Sequence, residues 1–387
     1  MKLDQSGGLS LAYLVHDLED AAVRRRMDLL VGEGLIVGLG GFRRHADGDH
    51  DMAAGCAVKM LHMGRTMDAR LGQRAAAVLK WMLSPSPIKR LCADAPVIVA
   101  RNLEMLMLAW RVRAPKQRLV YECLDIHRLM LGTGGKSRIM RWMERWLLRR
   151  TDLIIVSSPA FAKDYFSARQ GRNEGILLVE NKVPVERRRS DNRAARGART
   201  QDGALIWTIG WFGMLRCRKT LEQLTELAGA SRGRIEVVIA GIASPAEFPD
   251  FSGQVAGCEG LRYLGPFKRD ELHRLYREVD FVWAVDYFEE GLNSDWLLPN
   301  RLYEGLAHGV VPIALNGVET GRWLRRHGVG LLVDAPLLQL PARLSMWDRC
   351  EHERMREAIA CLPEGALYQT AGERRDIAAA ITGLRHG

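Results

Sequence analysis

Residues 293–315 read NSDWLLPNRLYEGLAHGVVPIAL, and the reading of this stretch decides the fold. Pro299 suits the first turn of a helix, where its missing N–H is not needed. Leu302, Leu306 and Ala307 follow at spacings that give the helix one apolar face. Gly309 is placed to stop that helix as a C-cap glycine. Val310 to Leu315 is then a short apolar run, as in a parallel strand covered on both faces. Glu304 interrupts the pattern, because a carboxylate among apolar helix positions needs a partner. Three readings are open. Glu304 faces solvent, it pairs with Arg301, or it points into a cleft and accepts hydrogen bonds from two vicinal hydroxyls.

The same alternation extends outward in both directions. Short apolar runs at 9–15, 35–39, 57–61, 97–100, 119–123, 153–156 and 176–179 predict strands, with helical patterns at 19–31, 67–82 and 102–112. A second set lies at 204–209, 235–240, 261–264, 281–285, 310–315 and 330–333, with a helix over 220–227. Strands alternating with helices predict α/β architecture with parallel sheets. Between the two sets, residues 186–203 (ERRRSDNRAARGARTQDG) show no apolar periodicity and read as a linker. They lack the interleaved aromatics that would stack on bases, which argues against a nucleic-acid arm. The 387 residues fit two domains. The expected division is 1–185, a basic linker at 186–203, a second domain at 204–371, and a helix at 372–387 returning to the first domain.

Composition narrows the function classes. Hydrophobic residues at 47% and charged residues at 26% are ordinary globular values. The seven cysteines are scattered without a C-x-x-C pair, so zinc knuckles and thioredoxin chemistry are not expected, and a reducing cytoplasm is. No run reaches the roughly 18 apolar residues of a membrane span. The N-terminal segment lacks a small-residue cleavage site and leads into a strand, so a signal peptide is not expected. The 56 basic and 46 acidic residues leave a net charge of +10, which favours an anionic partner: nucleic acid, acidic lipid or a phosphorylated substrate.

Several constellations carry candidate chemistry. Gly210-Trp211-Phe212-Gly213-Met214-Leu215-Arg216-Cys217-Arg218-Lys219 reads as a glycine-containing turn from strand to helix. Glycines let a backbone approach phosphate oxygens, and a helix N-terminus with Arg216, Arg218 and Lys219 offers positive charge. Asp125 and His127 sit just past an expected strand end in the first half, where ligands of open α/β sheets bind. Either could assist an attacking hydroxyl, and a helix-capping role is the competing reading. Asp286, Glu289 and Glu290 read as a polar loop, with Asn293 and Ser294 adjoining the 299–304 box. Gly132 to Ser137 ends like a phosphate-binding P-loop, but Met130 occupies the place of its first glycine and no strand directly precedes it. Asp47-Gly48-Asp49-His50-Asp51 has Asp-x-Asp spacing for a divalent metal, yet reads as a solvated acidic loop. Along 138–150, Ile139, Trp142, Met143, Trp146 and Leu147 form one helical face amid five arginines. That face suits either an acidic membrane or a domain core.

Taken together, PNRLYEGLAHGVVPIAL resembles the nucleotide-sugar box PNKLFEY-(apolar)-A-x-G-x-P-V-(apolar) of family-4-like GT-B glycosyltransferases. VYECLDIHRLMLG, Ser157 to Phe161, IGWFGMLRCRKTLE and NSDWLLPNRLYEG are similar to glycosyltransferases of bacterial exopolysaccharide assembly, of the succinoglycan-biosynthesis type. The resemblance spans residues 121 to 315. It implies the GT-B fold, two facing Rossmann-like domains with the site in the cleft. It implies a nucleotide-sugar donor, UDP-linked, bound by Gly210, Gly213, Arg216, Lys219, Asn293, Ser294, Asn300 and Glu304, with Glu304 on the ribose. It implies a glycan acceptor, polyprenyl-diphosphate-linked, with Asp125 or His127 assisting its hydroxyl. Family members with a Glu-x7-Glu pair carry a first glutamate where this chain has Trp296. No cofactor and no obligatory metal are expected, since Arg and Lys can neutralise the departing diphosphate. The expected site of action is the cytoplasm, with a peripheral position on the inner membrane face as a further reading. The competing functions are a GT-B epimerase releasing free UDP, a nucleic-acid-binding protein, and a non-enzymatic scaffold.

Overall fold

The computed structural model describes residues 8–43, 59–65, 71–185, 199–201 and 204–383. The acidic loop Asp47–Asp51, the first two residues of the strand expected at 57–61, and most of the expected linker lie outside the described residues. The chain divides into two units, residues 1–179 with 371–387, and residues 180–370.

The first unit carries a seven-stranded parallel sheet. Its strands are β1 (Leu11–Val15), β2 (Val37–Arg43), β3 (Lys59–Arg65), β4 (Val97–Arg101), β5 (Arg118–Cys123), β6 (Leu153–Val156) and β7 (Ile176–Leu178). The order β3-β2-β1-β4-β5-β6-β7 reverses direction between β1 and β4. The runs LAYLV, VIVAR and LIIV are buried along their whole length, as strands covered on both faces must be. Helix α1 (Ala21–Gly32) starts where the Asp20 carboxylate accepts from the Ala22 N–H at 2.8 Å. Further helices are α2 (Leu103–Val112), α3 (Arg128–Leu131), α4 (Gly135–Leu148) and, at the chain's far end, a helix over Ala371–Thr382. Ile377 and Ile381 of that last helix pack in the same core as Leu11, Tyr13 and Val99. Arg374 lies 3.4 Å from Glu33, and Arg118 donates to the Ala380 carbonyl at 3.2 Å.

Two glutamates are buried in this unit, and their surroundings treat them oppositely. Glu122 on β5 accepts from Arg26 at 2.7 Å and Arg101 at 3.4 Å, and from the Tyr13 hydroxyl. Burial alone would raise its carboxyl; the two guanidiniums outweigh burial and hold it below the usual range. Glu144 on α4 accepts from the hydroxyls of Tyr121, at 3.0 Å, and Tyr165, and from the Gln170 amide. Its neighbours there are neutral donors, so burial dominates and pushes it up from 4.5 to about 7. Helix α4 splits the apolar face read at 138–150. The side it buries carries Ser137, Glu144, Leu147 and Leu148, while Ile139 and Trp142 are each 65% exposed.

The second unit repeats the plan. Its strands are β8 (Trp207–Leu215), β9 (Ile235–Ala243), β10 (Leu261–Tyr263), β11 (Phe281–Trp283), β12 (Val311–Leu315) and β13 (Leu331–Val333). All neighbours are parallel, in the order β10-β9-β8-β11-β12-β13, and the reversal falls between β8 and β11. Helices α5 (Arg218–Ala230), α6 (Leu272–Arg277) and α7 (Asn300–Ala307) lie in this unit.

The contrast between the two glutamates has a measurable consequence. Between 4.5 and about 7, folded Glu144 keeps a proton that the unfolded chain has released, so rising pH costs stability in that window. Glu122 acts in the other direction, its stabilisation disappearing as pH falls below the ordinary carboxylate range. Buried His352, lowered from 6.5 to about 4, adds a rise of stability with pH over much of the same window. Thermal melts of Glu144→Gln are therefore expected to show a Tm that falls less, or rises more, with pH than that of the parent chain. An identical slope in both would mean that Glu144 titrates as it does in the unfolded chain.

Candidate functional site

Helix α7 is held at both ends. Pro299 precedes it in an extended conformation, with φ −72° and ψ 152°, one position earlier than the helical turn expected for it. At the other end, Val310 N–H donates to the Gly305 carbonyl and Gly309 N–H to the Leu306 carbonyl, both at 2.9 Å. Gly309 has φ +71°, which completes a Schellman cap that a side chain would strain. A Cβ on Gly305 would fall 2.6 Å from the Val282 side chain, so the helix lies close against β11. Leu302, Tyr303 and Leu306 are buried, and this rotation leaves Glu304 half-buried. The ion pair with Arg301, one of the three open readings, does not form. The Arg301 guanidinium turns instead to Asp286, at 3.2 Å. Beside Glu304 stands Tyr276 of α6, whose phenol is raised well above 10, first by burial and then by the Glu304 charge. The Tyr276 ring stacks on His308 at 4.9 Å, and His308 Nδ1 lies 2.7 Å from the Glu304 carbonyl oxygen.

Asp286 belongs to the loop that follows β11. Its Oδ1 accepts from the Phe288 N–H and from the Ser294 hydroxyl, both at 2.9 Å, while Ser294 Oγ accepts from the Glu289 N–H at 2.9 Å. Ser294 is thus occupied in building the loop, and it and Asn293 are buried. Asn300, the first residue of α7, is exposed. The same loop reaches the cations at the start of α5. The Arg216 guanidinium lies 4.4 Å from the centre of the Phe288 ring. Lys219 Nζ lies 4.3 Å from the Tyr287 ring centre and 2.6 Å from Glu290. Arg218 turns to Glu247, at 3.3 Å. Of the three cations whose roles the spacing leaves open, the loop gathers Arg216 and Lys219. It therefore links the start of α5 to the start of α7, outside the carboxyl ends of β8 and β11, where the strand order reverses.

The glycine-containing turn needs correction. Strand β8 continues to Leu215, so Gly210 lies inside the sheet, paired in register with Val238 and Val282. A Cβ there would meet the Phe212 ring at 2.7 Å, which makes Gly210 a packing glycine. Gly213 has φ +116° and open space where its Cβ would be. Its register partner Gly241 has φ +148°, and a Cβ on Gly241 would fall 1.7 Å from the Gly213 carbonyl oxygen. The strands approach this closely only because residue 241 is a glycine, while Gly213 is required by its positive φ.

In the first unit, Asp125 and His127 are both exposed after β5. The capping residue is His127: the Leu129 N–H donates to its Nδ1 at 3.2 Å at the start of α3. With Nδ1 accepting, the neutral ring carries its proton on Nε2. The Ser157 hydroxyl fastens this loop by donating to the Leu124 carbonyl at 3.1 Å. The segment resembling a P-loop runs from the end of α3 into the first turn of α4, with Gly134 as its cap. The sequence reading passed over His16, Asp17 and Asn102, which stand at the ends of β1 and β4 beside the strand reversal. Asn102 has φ 71° and ψ 164°, a region almost reserved for glycine. No period or spacing marks a residue of this kind; only the strand order singles it out. Among the described residues no helix is long and apolar enough to cross a membrane, and no cluster of three His, Cys, Asp or Glu side chains is arranged to hold a metal.

Residues 11–182 match the model of the glycosyl transferase 4-like domain. The chain is 44% identical to the succinoglycan biosynthesis protein ExoL of Rhizobium meliloti (strain 1021), over 84% of this chain and 81% of that protein. Among solved structures, HepE of Anabaena in complex with UDP and glucose superposes with a TM-score of 0.70 at 14% identity, covering 97% of this chain and all (100%) of that one. Sucrose-phosphate synthase of Thermosynechococcus elongatus gives a TM-score of 0.67 at 14% identity, over 97% and 99% of the two chains.

The glycine pair at the ends of β8 and β9 is directly testable. Gly241→Ala is expected to lower stability by about 3 kcal/mol or more, since it combines a forbidden φ with a backbone clash. Gly257→Ala, with φ −89° and open space around its Cβ, is the control and should change little. Urea denaturation of both variants decides it; equal stabilities would show that β8 and β9 can separate at no cost.

Proposed function

Because the chain belongs to the family-4-like GT-B glycosyltransferases, alongside the succinoglycan biosynthesis protein ExoL, we propose that it moves a sugar from a UDP-sugar to a growing exopolysaccharide repeat unit carried on polyprenyl diphosphate. The bond that breaks joins the anomeric carbon to the diphosphate oxygen. The bond that forms joins that carbon to an acceptor hydroxyl oxygen, whose proton passes to a base. Glu304 accepts hydrogen bonds from the two ribose hydroxyls. Arg216 and Lys219 face the diphosphate and stabilise the charge that grows on it as it leaves. Glu290, ion-paired with Lys219, yields that cation to the diphosphate.

The observation that carries this reading is the placement of Glu304. It is a half-buried carboxylate on a helix fixed at both ends, its neighbouring arginine is committed to Asp286, and one loop joins it to two cations. The complex of HepE with UDP and glucose supports UDP as the nucleotide. In the first unit the roles divide between Asp125 and His127. With Nδ1 engaged, His127 offers a hydrogen-bond donor through Nε2, and the Asp125 carboxylate is the candidate base. No resident metal enters this reading, because the two cations supply the positive charge.

A thermal-shift panel with UDP, GDP, ADP, ATP and NAD, each with and without magnesium, tests the proposal. UDP alone should raise Tm, and it should do so without magnesium. Glu304→Ala should keep the parent Tm in the absence of ligand and bind UDP about 10- to 100-fold more weakly, as expected when hydrogen bonds to a charged group are lost. Unchanged UDP affinity in that variant would remove Glu304 from the site. A magnesium-dependent shift would replace the two-cation account of the diphosphate.

A further inference from the structure

We propose that the outer face of α4 is a docking surface for an anionic lipid bilayer. At 3.6 residues per turn, Ile139, Trp142 and Trp146 fall on one line along this helix. Ile139 and Trp142 project into solvent, each 65% exposed. Trp146 is half-buried beneath them, edge-on to Trp110 with ring centres 4.6 Å apart, and the Arg150 guanidinium covers it at 3.8 Å. The charges flank this line. Arg138, Arg145 and Arg149 run along one side and Lys136 along the other, all exposed. The neighbouring helix α3 adds exposed Arg128 and Leu129. The one acidic residue of α4, Glu144, is buried on the opposite side.

An ordinary amphipathic helix turns its apolar line to the core and its cations to water, whereas here the Ile139–Trp142 line and the cations both face outward. Arg141 and Arg145 spend hydrogen bonds on the carbonyls of Met130, Gly132 and Arg169, which binds the helix to its own unit. Among the described residues, Lys136, Arg138 and Arg149 have no such use. A tryptophan and an isoleucine at the centre with cations on both flanks match the layering of a bilayer surface, apolar acyl chains beneath anionic headgroups. Nucleic acid fits less well, because the central line carries one exposed aromatic ring rather than a series on which bases could stack. The surface lies on the first unit and stands independently of the donor-site reading.

The test is sedimentation of the full chain with vesicles of phosphatidylcholine alone and of phosphatidylcholine mixed with phosphatidylglycerol. The parent chain should pellet with the anionic vesicles only, and less as salt rises. Arg138→Gln and Arg149→Gln should each weaken binding about five-fold. Ile139→Ala combined with Trp142→Ala should weaken it about ten-fold or more. These side chains are exposed, so the UDP-induced thermal shift should persist in every variant; it reports on the donor site separately. A parent chain that stays in the supernatant overturns the proposal, as does a double variant that binds like the parent. Tighter binding to duplex DNA than to anionic vesicles would assign the face to nucleic acid instead.

Discussion

The candidate site depends on the carboxylate of Asp286. Three groups converge on it, the Arg301 guanidinium from α7, the Ser294 hydroxyl and the Phe288 N–H, and Ser294 in turn accepts from the Glu289 N–H. With both oxygens engaged, the loop after β11 has a fixed course. That course sets where Phe288, Tyr287 and Glu290 stand, and so where Arg216 and Lys219 are held. The same carboxylate draws Arg301 away from Glu304. Had Arg301 paired with Glu304, α7 would present a neutralised pair with its acceptor oxygens already used. A single ion pair therefore keeps the Arg301 guanidinium off the Glu304 carboxylate.

The first unit shows what decides the state of a buried carboxylate. Glu122 and Glu144 are equally removed from water, and burial pushes both upward. The difference lies in the donors. Two guanidiniums bring compensating charge to Glu122, whereas Tyr121, Tyr165 and Gln170 bring Glu144 dipoles only. Dipoles can satisfy the hydrogen-bonding capacity of a carboxyl group without offsetting the cost of its charge. Glu122 thereby ties α1 to β4 and β5 as an ion cluster. Glu144 ties α4 to the sheet as a group whose charge changes near neutral pH.

Much of this architecture was legible in the sequence because parallel strands buried on both faces leave a strong trace. LAYLV, VIVAR, LIIV and VPIAL are recognisable without their neighbours, and the turn chemistry around Pro299 and Gly309 marked α7 to within a residue. The strand end at Gly210 was misread for a physical reason. A glycine inside a strand looks like a glycine ending one, and what separates them is the Phe212 ring lying over Gly210, a contact between a residue and its neighbour two places on. Ser294 stands beside the box, where a hydroxyl is chemically suited to a ligand. Its commitment to Asp286 rests on a loop closure of eight residues that no periodicity announces. Tyr276 was missed because it reaches Glu304 from another helix, with no signature in its own segment.

Helix α4 was legible in composition and open in orientation. Its sequence contains one apolar line, which suits either a core or a membrane surface. Buried Glu144 rotates the helix away from the first of these. The carboxyl group has three donors waiting, Tyr121 on β5, Tyr165 and Gln170, none of which lies on α4, and it can meet them only if its own side of the helix faces inward. Leu147 and Leu148 complete that side. The position of Ile139 and Trp142 then follows from the helical repeat: with residue 144 inward, residues 139 and 142 must face out. The exposed apolar line is thus a consequence of satisfying a polar group. A chain of this composition would be expected to replace Ile139 and Trp142 with polar residues if nothing covered them, since neither contributes to the core that Glu144 helps to order.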